Sequence, residues 1–115
     1  MLAFVRCFNS QLFYEAHEVL EELWLPNRQG LDGPFYKGLI QLAGAFVHLQ
    51  KRRAGPAEAL LLLAQANLKD YPNHYHGVDV AHIKAVIDKF LGQLKGAGSS
   101  TLTEQPCEWP VVSLA

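Results

Sequence analysis

The sequence predicts an all-α fold: a single compact bundle of about five helices built on a central antiparallel helix pair. Three observations predict it. Apolar residues recur with a helical period along most of the chain and nowhere alternate convincingly as in a strand. Proline, glycine, asparagine and aspartate cut that pattern into pieces of helical length. The chain has 115 residues, half of them hydrophobic, which suits one domain with one core. The helical domain is expected over residues 1–95, with a linker and an extended apolar tail over 96–115.

The first helix is expected from Leu2 to Phe8, ended by a turn or cap at Asn9 and Ser10. The second runs from Gln11 to Leu25 and stops at Pro26. "PNRQGLDG" reads as a loop. Asp32 is the expected N-cap of the third helix, with Pro34 in its first turn. That helix continues to Arg53, so Lys51, Arg52 and Arg53 meet the negative end of its dipole. Gly55-Pro56 opens a fourth helix through Lys69. "DYPNHYHG" reads as a loop, and Asp79 caps a fifth helix to Lys95. On it Val80, Ile83, Val86, Ile87, Phe90, Leu91 and Leu94 form the buried stripe, with Lys84 and Asp88 as a surface pair. "GAGSSTLTEQP" has linker composition. Trp109 and the valines after it are expected to lie extended against the helices or a partner, since they are costly to leave in water.

Composition narrows the classes of function. Formal net charge is −1 and no broad basic field exists, so nucleic acid is not an expected partner. Two cysteines, Cys7 and Cys107, are no disulfide framework and fit a reducing cytoplasm. Cys7 reads as a small buried hydrophobe. The apolar runs are too short and interrupted to span a bilayer, so no membrane is expected.

The second helix carries the odd feature. Gln11, Glu15, Glu18 and Glu22 collect on a solvated face, but His17 and Glu21 interrupt the apolar arc that holds Phe13, Tyr14, Ala16, Leu20, Leu23 and Trp24. A carboxylate on a buried face needs a partner or a proton. On the third helix Lys37, Gln41 and His48 share a side with Gly38, Gly44 and Ala45, small residues that permit close approach. Packed antiparallel, the two helices would bring His17, Glu21, Gln41 and His48 together. His17, Glu21 and His48 would then suit a divalent transition metal such as zinc, iron, manganese or nickel, with Gln41 or water completing the shell. Trp24, Tyr14 and Lys37 would line the site. His74 and His76 form a His-x-His pair that reads more simply as surface.

The stretch "HEVLEELW", with "FNSQLFYEAHE" before it and "FYKGLIQLAGAFVH" after, resembles the bacterial and archaeal domain-of-unknown-function family numbered 309, marked by a His-x-x-x-Glu-x-x-Trp motif. The resemblance runs from about Phe4 to Leu91. It implies an all-α fold and a functional role, as metal ligands, for His17 and Glu21, with Trp24 as the flanking aromatic. Gln11 stands where the resemblance leads one to expect glycine. No activity comes with it.

Two readings of function follow. In the first the chain binds a metal or small ligand at the His/Glu site, and any chemistry, hydrolysis at most, comes from an activated water. In the second it is a structural or interaction protein, as a homodimer covering its tail, and the His/Glu pair is a buried hydrogen-bonded clasp.

Overall fold

The computed structural model describes residues 1–97 and 109–113. Along them run α1 (Leu2–Asn9), α2 (Phe13–Trp24), a 3-10 turn (Leu25–Asn27), α3 (Gly33–Gln50), α4 (Ala54–Leu68), an antiparallel hairpin of β1 (His74–Tyr75) and β2 (Val78–Asp79), and α5 (Val80–Ala97). The all-α expectation is met, and the helices start and stop within three residues of the expected places. Among the described residues no helix is long and apolar enough to cross a membrane. Cys107 and most of the expected linker lie outside the described residues.

The connections are set by helix ends. After α1 the chain turns on Gln11, whose φ is +64°. The Gln11 N–H donates to the Phe8 carbonyl and the Leu12 N–H to the Cys7 carbonyl, the paired bonds of a left-handed helix cap normally built on glycine. The glycine expected by resemblance would fit this backbone; glutamine adopts it under strain. Gln11→Gly is therefore expected to stabilise the fold by about 0.5–1 kcal/mol, part of the roughly 1–2 kcal/mol left-handed cost being returned as unfolded-state entropy. Calorimetry would read this as a Tm raised by a few degrees. The Gln11 side chain is exposed, and its carbonyl keeps the bond from Gln50 in the variant. α3 ends the same way on Arg52, at φ +58°, so the basic trio follows the helix rather than closing it.

The core is organised by phenylalanines. Phe46 of α3 packs edge-on against Phe8 of α1 and Phe90 of α5, at centroid distances of 5.7 and 4.9 Å, and against Phe13 of α2 at 5.3 Å. All of the α5 stripe is buried as expected. The Asp79 carboxylate accepts from the His82 N–H at 3.0 Å, so Asp79 caps α5. The Lys84–Asp88 pair does not form. Lys84 donates instead to the Lys69 and Tyr71 carbonyls, and Asp88 accepts from Gln65 of α4. Carbonyls just past the end of α4 lack a helical partner and accept from the ammonium, whereas an exposed i,i+4 ion pair is worth little.

Residues 109–113 are extended along the bundle. Trp109 stacks near Phe13, and Val112 is buried. The Asn9 side chain brackets Val112, donating to its carbonyl and accepting from its N–H. Asn9 thus holds the tail instead of capping α2. Within these residues Trp109 is half-buried and Val112 buried against their own chain, while Val111 is exposed. Cys7 is half-buried at the edge of the core.

The small-residue stripe of α3 faces α4. A Cβ on Gly38 would meet the Leu68 side chain at 2.8 Å, and one on Gly44 would meet Leu60 at 3.2 Å. Periodicity identifies a face built for close approach but not which neighbour takes it.

Candidate functional site

α2 and α3 pack antiparallel, with their register set by two contacts. Near one end the Lys37 ammonium sits 4.6 Å from the centroid of Trp24, a cation–π contact. Near the other the Gln50 amide donates to the Gln11 carbonyl at 2.9 Å. The same register sets His17 about level with Gly44, roughly one turn from His48.

On α2 the His17 Nε2 lies 3.3 Å from Glu21 Oε1, with the side chains 29% and 49% exposed. The pair expected from sequence is there, but Glu21 is not buried. It lies at the outer edge of the apolar arc, where water solvates its charge. Tyr14, exposed, stacks on the His17 ring at 6.1 Å. His48 is half-buried on α3. Desolvation, then the nearby Arg53 and Lys51 charges, hold its pKa below the ordinary imidazole value, so it stays neutral with a lone pair to offer. The Nδ1 atoms of both His17 and His48 are buried with no hydrogen-bond partner. Gln41 is not part of this arrangement, because its carbonyl oxygen accepts from Asn67 of α4 at 2.7 Å. Among the described residues no three His, Cys, Asp or Glu side chains come together as a cation site, so His17, Glu21 and His48 are not a three-ligand cluster.

A second cluster forms at the N-terminal end of α3. His76 and Gly77, with φ of +49° and +74°, make the two-residue turn between β1 and β2. The Asp32 side chain makes no cap bond to α3. Its carboxylate accepts from the Tyr75 hydroxyl at 2.5 Å and lies 2.8 Å from His76 Nε2. Those two bonds hold the Asp32 pKa below its ordinary value, and the same carboxylate pushes Tyr75 up to about 12. The His76 ring stacks on Tyr36, and the Tyr71 hydroxyl donates to the Leu31 carbonyl while accepting from the Phe35 N–H. His76 is exposed, as expected, and through Asp32 and Tyr36 it also fastens the hairpin to α3. Tyr36 lies eight residues from Gly44, roughly 12 Å along the helix, so this cluster is separate from His17. His74 is exposed and pairs across the strands with Asp79. The readable signal was "YHGV", a turn dipeptide between strand-forming residues.

The Asp32 bonds set a pH dependence. A depressed folded-state pKa gives stability that is present above the unfolded value of about 3.9 and lost as pH falls through the folded value. Asp32→Asn is expected to lower Tm near neutral pH. The gap between wild type and variant should close as pH falls below about 4, measured by calorimetry at a series of pH values.

An uncharacterized protein of Aquifex aeolicus (strain VF5) is similar to this chain, with 27% identity over 85 residues. The aligned segment is 74% of this chain and 26% of that protein, so the chain spans about a quarter of its relative's length. No solved structure matches. A family model matches residues 1–60, which hold α1 to α3 and the opening of α4, and hence both His17 and His48. By that match the chain belongs to the family described as Domain of unknown function (DUF309).

Proposed function

We propose that the chain is a ligand-binding helical domain whose site is the α2–α3 seam at His17 and His48, and that its ligand is a divalent transition metal. The observation that carries this reading is the pair of buried Nδ1 atoms without partners. Buried polar side-chain atoms are paired in the large majority of cases, so two orphans, one on α2 and one on α3, call for a ligand. The contact on the other side of one ring supports the same reading. A proton on the His17 Nε2, 3.3 Å from the Glu21 carboxylate, would leave Nδ1 as a lone pair. That carboxylate–imidazole pairing is the usual support of a metal-bound histidine. Glu21 then orients a ligand and is not one. Imidazole donors favour zinc or nickel over manganese. Two protein ligands leave positions for water, the requirement of hydrolytic chemistry. The half-exposed Glu21 argues against the buried clasp.

The test uses untagged protein prepared without chelator, with elemental analysis and calorimetric titration of zinc and nickel. Wild type should bind one ion per chain. His17→Ala and His48→Ala should each abolish binding while remaining folded. Glu21→Gln should weaken it by roughly 10–100-fold. Wild type that carries no metal and takes up neither ion would refute the assignment.

A further inference from the structure

α4 has no polar face of its own. Between Ala54 and Leu68 its polar side chains are Glu58, Gln65 and Asn67. Asn67 is turned onto Gln41, and Gln65 donates to Asp88 of α5. The inner face, Ala57, Leu61, Ala64 and Leu68, is fully buried. The outer face presents Gly55, Ala59, Leu62, Leu63 and Ala66, all exposed, with Leu62 at 42% and Leu63 at 51%. A helix apolar all round is ordinarily covered on every side, and a continuous exposed apolar strip marks a contact surface.

We propose that this face is the interface of a homodimer, formed by two α4 helices packed antiparallel about a two-fold axis between Leu62 and Leu63. An isologous contact requires a patch that complements itself when reversed. Ala59-x-x-Leu62-Leu63-x-x-Ala66 reads the same in both directions. The two-fold sets Ala59 opposite Ala66 of the partner subunit, where small side chains admit close approach, and gathers the leucines at the centre. The charges agree with this orientation. Glu58 lies beside Leu94 of α5, and Lys69 lies beside Lys84 and Ile87, so both occupy the α5 flank. An axis perpendicular to the helices keeps that flank on one side. Glu58 then comes within two residues, roughly 3 Å along the axis, of Lys69 of the partner subunit. The contact occurs twice and is attractive both times; a parallel pairing, with its two-fold along the helices, would carry the flank to opposite sides and form neither contact. The surface is remote from the His17 seam, and the inference does not depend on the metal reading.

The test is sedimentation equilibrium of the full chain across a wide range of concentration. Wild type should be a dimer. Leu63→Glu should be a monomer with unchanged circular dichroism, and Leu62→Gln should weaken the dimer in the same direction. Glu58→Lys and Lys69→Glu should each raise the dimer Kd by roughly tenfold, and the double swap should restore it. A monomeric wild type would overturn the proposal and leave the face to another partner. So would a dimer indifferent to Leu63→Glu. Loss of association in the single charge variants without recovery in the double swap would overturn the antiparallel arrangement on which it stands.

Discussion

Phe46→Ala is expected to destabilise the fold by about 3–5 kcal/mol, a large share of the stability of a domain this size. Phe46 is fully buried, and its ring meets Phe8 from α1, Phe13 from α2, Phe90 from α5 and Trp109 from the tail. Truncation removes the one ring shared by all four. The cavity cannot close by moving a single element, because each neighbour is held by other contacts. The lost transfer energy and the unfilled volume therefore add. Chemical denaturation should show the midpoint falling with little change in slope. Loss of less than about 1 kcal/mol would mean that the aromatic cluster does not join these elements as described.

The second large effect is at a glycine. Gly33→Ala should cost about 1–3 kcal/mol, the upper end being expected. A Cβ at Gly33 would lie 2.5 Å from the Arg28 carbonyl oxygen and 3.0 Å from that of Asn27. Both are backbone atoms, so no side-chain rotation relieves the conflict, and the segment leading into α3 must shift. Gly55→Ala is the control, since nothing lies within 4 Å of a Cβ there and its backbone is helical. It should leave stability unchanged or slightly raised, for alanine is the better helix former. Comparing the two melting curves separates the steric term from the propensity term. Similar behaviour in both variants would contradict the packing of the Asn27–Arg28 segment on α3.

Much of this molecule was legible in its sequence because helical period and burial are tied together. The α5 stripe from Val80 to Leu94 and the solvated glutamates of α2 follow directly from one turn per 3.6 residues. His17 and Glu21 share a face for the same reason. What was not legible is which helix a face meets. Gly38 and Gly44 announce a close approach, but both α2 and α4 flank α3, and only the fold assigns the stripe to α4. Gln41 went with it, to Asn67. Asp32 has the position of an N-cap, yet a hairpin some forty residues away offers its carboxylate a phenol and an imidazole. Local rules rank local partners, and they cannot see a competitor brought by tertiary contact. The hairpin's strands, two residues each, are too short to show a period, so the turn at His76-Gly77 is its one local mark.

The functional reading gives the residues of α2 different duties from those the sequence alone suggested. In the proposed site Glu21 would position the His17 imidazole, and Nδ1 of His17 and Nδ1 of His48 would meet the ion; Trp24 and Lys37 join α2 to α3 at the other end. The most direct test observes the ring nitrogens themselves, by nuclear magnetic resonance on isotope-labelled histidine during zinc titration. The account predicts that Nδ1 of His17 and Nδ1 of His48 shift together and saturate at one ion per chain, while His74, His76 and His82 stay in place. Zinc that leaves both Nδ1 resonances unmoved, or that first perturbs the hairpin histidines, would contradict a site built on the α2–α3 seam.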